Sequence, residues 1–192
     1  MMNTFKKLTL ATLVAFFTFS IAPVQAAKKE VKTSSSTVVW KGYKVTGSHT
    51  GSIALTSGSL EFDGEKLTGG AFVMNMSSIT STDMEGEYKG KLEGHLKSDD
   101  FFGVATHPTA NLVFKKVKST GKNSYKVTAD LTIKGITNSV QFDLSVYGNK
   151  ATASLKIDRT KFDVRYGSTS FFDGLKDKAI YDEFDLIADL EF

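Results

Sequence analysis

The chain of 192 residues contains no cysteine. That excludes a disulfide framework, a lipid-modified N-terminal cysteine and thiolate metal ligands. Histidine is scarce: His49, His95 and His107 fall in separate polar stretches that read as turns, and none has metal-ligand spacing. No metal site is expected. The nucleophile-elbow, phosphate-loop and dinucleotide fingerprints are missing. Asp99-Asp100 reads as a pair of capping residues rather than an acid/base pair, so no catalytic residue is expected. An excess of one charge is missing as well. The formal charge of +3 falls to +1 without residues 1–26, which hold Lys6, Lys7 and no acid. A nucleic-acid partner is therefore not expected. Long apolar runs are missing with one exception, residues 8–22, and that run is shorter than the about 20 residues of a membrane span. No stable span is expected.

What is there begins with an export signal. Lys6 and Lys7 precede the apolar run, and Val24-Gln25-Ala26 follows it as a small-residue cleavage site. Residues 1–26 are read as a cleaved signal peptide, which implies a soluble periplasmic protein where the cell has an outer membrane. Residues 27–36, with Lys28, Lys29, Lys32 and three serines, are read as a flexible, solvated tail. Residues 37–192 suit one domain with a real core.

Within that domain apolar and polar residues alternate with period two, the mark of half-buried strands. Val127, Ala129, Leu131 and Ile133 share one face; Val140, Phe142, Leu144 and Val146 share another. Ala151, Ala153, Leu155 and Ile157 repeat the pattern, and Phe184, Leu186, Ala188 and Leu190 close it. Asp63-Gly64, Lys134-Gly135 and Gly148-Asn149 supply turns. Residues 47–51 read as another turn. Two stretches break the period. Residues 77–96 read as a connection with a short helix over one end of the sheet, helped by Glu87 and Lys91 four apart. Residues 158–182 form a second irregular, aromatic-rich connection, in which Arg159 could orient a ligand head group, pair with a carboxylate or stack on a ring. Eight or nine antiparallel strands with one apolar face and no covering helices must close on themselves. The expected fold is all-β: an eight-stranded antiparallel lipocalin-like barrel with a short helix and irregular connections at one end. A sandwich is the rival architecture.

Residues 95–114 join the two kinds of structure. Ser98, Asp99 and Asp100 are capping residues, Phe101 and Phe102 follow as a bulky pair, and Pro108 forbids a helix before the strand of Ala110, Leu112 and Phe114. The Phe pair is expected to tuck into the end of the sheet, as a core plug or as part of a site. An eight-stranded barrel is filled by side chains or holds one small ligand. Inward alanines at 110, 129, 151, 153 and 188 hint at a cavity, or else accommodate the large Phe114, Phe142 and Phe184. The expected pore wall is Trp40, then Phe72 and Met74, then Phe114, Leu131 and Phe142. It continues through Ala153, Leu155, Phe184 and Leu186, with Phe101 and Phe102 at the end.

Three motifs together carry a family likeness. They are Leu96-Lys97-Ser98-Asp99-Asp100-Phe101-Phe102 with Pro108 and Phe114, then Asp130-Leu131-Thr132-Ile133-Lys134-Gly135-Ile136-Thr137, then Ile157-Asp158-Arg159 with Phe162. In this order and spacing the chain resembles the YceI-like family of exported lipid-binding proteins, from Val38 to Phe192. The resemblance implies a lipocalin-like barrel whose pore takes a polyisoprenoid, such as a polyprenol or an isoprenoid quinone. It implies no enzymatic activity and no cofactor beyond such a lipid. Gly103, Ala129 and Asp163 stand where the family often has Asp, Gly and Gly. The expected function is a non-enzymatic exported protein that sequesters or carries a long isoprenoid. The alternatives are a stress-protective or interaction module with a filled barrel, and a hydrolase or isomerase using Asp99, His95 or His107. The sequence leaves a homodimer open.

Overall fold

The structure, a computed structural model, describes residues 26–192. The expected leader lies outside them except for Ala26. In chain order the elements are β1 (Ala27–Glu30), β2 (Thr37–Lys44), β3 (Gly47–Asp63), β4 (Lys66–Ser81), α1 (Gly86–Lys97) and β5 (Thr109–Gly121). Then come β6 (Ser124–Ile133), β7 (Ile136–Tyr147), β8 (Lys150–Asp158) and β9 (Ile180–Glu191).

Alternation dictates the strands. In β8 every second residue is buried, with Ala151, Ala153, Leu155 and Ile157 inside. β6 shows the same beat from Tyr125 to Ile133. The β6–β7 hairpin turns on Lys134 and Gly135, both at positive φ (52° and 74°), the geometry that matches strand twist in a two-residue loop.

Each strand from β2 to β9 pairs antiparallel with its neighbours, β2 with β9 and β3 with β4, so eight strands close into a barrel rather than a sandwich. Trp40 sits opposite Leu186 on one side and Gly51 on the other. The long β3–β4 pair carries three register shifts. Each adds local bend, which lets these strands curl around the barrel.

Four sequence expectations need correction. Residues 27–36 are not a flexible tail: β1 pairs with β3, from Ala27 opposite Phe62 to Glu30 opposite Ser59, and Val31 is buried. A charged strand can still dock through its backbone, and all four of its side chains face solvent. Residues 47–51 belong to β3; the turn is Val45-Thr46. His49 therefore lies on a strand and His95 on α1, neither in a turn. Ser98 ends α1 rather than starting a helix. Its hydroxyl donates to the His95 carbonyl at 2.8 Å, and the following backbone turns back under the helix. Phe102 N–H donates to Leu96 O and Val104 N–H to Lys97 O, which satisfies the last carbonyls of α1.

α1 is anchored to the barrel by Glu93. Its carboxylate accepts from the Thr80 hydroxyl (2.5 Å) and the Ser81 N–H (3.0 Å) of β4. These bonds hold its pKa below the ordinary value. The Lys91–Glu87 pair meets at 2.7 Å on the exposed side of the helix.

Candidate functional site

The barrel interior is not completely filled. Two cavities lie along it and share Met74, Leu131 and Leu186 in their walls. The upper one, at the α1 end, has a volume of about 100 Å³. The lower one has a volume of about 60 Å³. The space is long and thin.

Its walls are almost wholly carbon. The lower cavity has only aliphatic and aromatic side chains, among them Phe72, Phe114 and Phe142. The Phe114 ring lies 5.9 Å from Phe72 and 5.7 Å from Phe142, centroid to centroid. The upper cavity is bounded by Trp40, Phe184, Ile53 and Met76, and roofed by Leu96, Phe101 and Phe102. Phe101 and Phe102 meet edge-on, 4.9 Å apart. They are therefore both plug and wall.

Arg159 is the one charged side chain lining either cavity, and it is 2% exposed. Its guanidinium donates to three carbonyls: Val164 (2.7 Å), Ile180 (2.9 Å) and Tyr181 (3.0 Å). Asp182 stands 3.6 Å away. Burial lowers its pKa, while Asp182 and Asp158 pull the other way. With its donors spent on backbone, Arg159 ties the end of β8 to the start of β9. This is the structural role, and it joins a carboxylate and a ring, since Phe101 lies against it.

Tyr43 and Tyr181 stand at the mouth, where the upper cavity meets a surface groove with Lys156, Thr169, Asp182, Glu183 and Asp185. The Tyr43 hydroxyl donates to Asp185 at 2.6 Å, which raises its pKa. His95, behind the roof, lies against Tyr166 (4.3 Å) and Phe101 (5.3 Å), ring centroid to centroid. Burial lowers its pKa, and Asp100 opposes that shift.

The structure brings together all twelve residues expected in the pore wall. Trp40, Phe101, Phe102 and Phe184 line the upper cavity. Phe72, Phe114, Phe142, Ala153 and Leu155 line the lower one, and Met74, Leu131 and Leu186 line both. Asp99, His95 and His107 line neither. No group of three or more His, Asp or Glu able to hold a metal occurs among the described residues.

Several wall residues escaped the sequence reading of the site. Met76 and Ile133 extend the same alternating faces by one step, so the signal for them was present. Tyr43 is different. Alternation sets it opposite Trp40, on the outer face with Lys41, and there it stays: Lys41 Nζ lies 5.4 Å from its ring centroid and its hydroxyl bonds Asp185. It meets the cavity only at the mouth, where cavity and outer groove join.

The YceI-like domain model matches residues 29–192.

The chain belongs to the YceI-like domain family. Among relatives named UPF0312 protein, that of Azotobacter vinelandii is 35% identical over 83 residues, 43% of this chain and 41% of that one. That of Shewanella denitrificans is 31% identical over 91 residues, 47% of this chain and 46% of its own length. The aligned stretches thus span less than half of these relatives. Solved structures share the fold. Burkholderia cenocepacia BcnA superposes with a TM-score of 0.66 at 22% identity, covering 83% of this chain and 98% of that one. A polyisoprenoid-binding domain from Saccharophagus degradans gives 0.59 at 14% identity, covering 87% and 99%. The YceI-like barrel described above is thus the fold of these proteins too.

Proposed function

We propose that this YceI-like protein binds a long polyisoprenoid, a polyprenol or an isoprenoid quinone, along its two cavities, and stores or carries it without chemical change. The carrying observation is the shape and chemistry of the space: long, thin and walled by carbon. A thin space rejects a compact ligand, and a carbon wall rejects a polar one. The Saccharophagus degradans domain of the same fold, a polyisoprenoid-binding domain, supports the reading. Strands of about ten residues at about 3.3 Å each give a tube near 33 Å, shortened by barrel tilt, which suits an extended chain. The signal-like sequence of residues 1–26 supports a carrier that works outside the inner membrane.

Each buried methylene contributes about 0.8 kcal/mol, so affinity should rise steeply with chain length. The test is titration with fluorescent prenyl probes of increasing length. The expected result is a gain of at least about tenfold per isoprene unit, short of the about thousandfold that five fully buried carbons would give because ordering the chain offsets part of it, until the tube is full, then a plateau. Affinity independent of length, or no binding by any probe, would reject the reading in favour of a filled barrel.

A further inference from the structure

The mouth of the upper cavity lies beside a loop that holds aromatic rings out into solvent. Tyr166 is 49% exposed, Phe171 44% and Phe172 50%, with Tyr181 at 54% on the adjoining strand. Other exposed apolar residues lie on the outer wall away from this loop: Val113 on β5, and Ile187 on β9 opposite Val39 of β2. Adjacent exposed Phe side chains need a reason, because a soluble surface gains nothing from them.

The loop is fixed rather than loose. Ser168 is wholly buried, and its carbonyl accepts from the N–H groups of both Phe171 and Phe172. Ser170 donates its hydroxyl to Asp182 at 2.6 Å, and Ile180 N–H donates to Gly167 O at 2.8 Å. Ile180 and Tyr181 line the upper cavity, so these bonds pin the loop to its rim. Tyr166 touches His95 of α1, which joins the loop to the roof. The Arg165 guanidinium lies 4.9 Å from the centroid of the Phe171 ring.

We propose that loop 165–175 docks the barrel mouth onto the interfacial layer of a phospholipid bilayer, so that the ligand passes between bilayer and cavity without crossing water. This rests on the isoprenoid reading above, since a long isoprenoid resides in bilayers and not in water. Tyrosine rings settle at the boundary between headgroups and acyl chains, and phenylalanine rings insert just below it. The loop's charge fixes the kind of surface. Residues 161–178 carry Lys161, Arg165, Lys176 and Lys178 against Asp163, Asp173 and Asp177, and Arg165 is paired with Asp163. The balance is near neutral. Docking is therefore driven by the rings, does not require anionic lipid and survives added salt.

The test is sedimentation of the exported product of the full chain with phosphatidylcholine vesicles free of isoprenoid. Wild-type protein is expected to sediment, at low and high salt alike. Phe171→Ser with Phe172→Ser is expected to lower the bound fraction about tenfold or more and to slow probe transfer from vesicles equally. Probe affinity in detergent should stay at the wild-type level. Val113→Ser with Ile187→Ser, on the outer wall, should change nothing. Wild type left in the supernatant, or a double Ser variant that sediments like wild type, overturns the proposal. So does loss of vesicle binding with a change from dimer to monomer in the double variant, which would make the loop a contact between copies. Vesicle binding by a protein that takes no probe in detergent upholds docking and rejects the isoprenoid reading alone. Phe172→Trp provides a second readout in a minimally altered loop. Its emission should shift to the blue on adding vesicles, and an unchanged spectrum counts against docking.

Discussion

The guanidinium carbon of Arg159 lies 5.6 Å from the centroid of the Phe101 ring. The contact joins the roof of the upper cavity to the point where β8 hands over to β9. Arg159→Met strips donors from the carbonyls of Val164, Ile180 and Tyr181. Unfolding in urea should show a loss of about 3 kcal/mol. Arg159→Lys should recover only part, because one ammonium cannot reproduce the fork. Unchanged stability with lost probe affinity would instead make Arg159 a ligand for the head group.

Ala153 lines the lower cavity from β8, opposite Leu144 and Ala188 on its neighbours. Ala153→Phe places a ring in space the ligand needs. The delipidated variant should melt within about 1 kcal/mol of wild type, since a cavity absorbs the added volume that costs about 1–3 kcal/mol in a packed core. Probe binding should fall at least about tenfold. A clear loss of stability with unchanged binding would show a packed interior at this position.

His95 sets an acid limit on the roof. Burial lowers its folded pKa below the ordinary 6.5, although Asp100 partly opposes this. The unfolded chain then takes up a proton more readily than the folded one. The contribution is present above about pH 6.5 and is lost as pH falls towards the lower folded value. Glu93 and Asp83, whose pKa values are also lowered, lose their contributions only further down, in the carboxylate range. Melting temperature should therefore begin to drop below about pH 6.5 in wild type. In His95→Phe, which keeps a ring against Phe101 and Tyr166, that first drop should vanish. Identical pH profiles would remove His95 from the account.

Gly51 gives Trp40 its place. A Cβ at Gly51 would collide with the Thr80 carbonyl and with ring carbons of Trp40. Gly51→Ala should cost about 2 kcal/mol or more and push the indole into the upper cavity, lowering probe affinity. Trp40 is the one tryptophan, so its emission follows the displacement directly. Melting and emission like those of wild type would show that the strands yield freely here.

Alternation made most of the barrel legible. Leu131, Phe142 and Leu155 were placed inward by period alone, because a strand with one wet face must put every second residue inside. The parts that escaped lack that signal. β1 has no buried side chain to announce it and is held by pairing with β3. α1 itself was legible as a short helix over one end of the sheet, from Glu87 and Lys91 four apart, but its anchor was not: a weakly amphipathic helix with three glycines is held to β4 through Glu93. Tyr43 follows the period and faces outward with Lys41; that the cavity opens beside it depends on where the mouth lies in space. Arg159 was visible as a residue, but its choice of three carbonyls as partners depends on where residues 164, 180 and 181 come together in space.

Native mass spectrometry of the exported protein, purified without detergent, tests the central claim most directly. The account predicts a population heavier than the bare chain by the mass of one isoprenoid, released by organic extraction and identified in the extract. It also predicts that the extracted protein rebinds an added polyprenol in a one-to-one complex. A single mass equal to the bare chain, before extraction and after incubation with polyprenol, would contradict the account and leave a barrel that holds no such lipid.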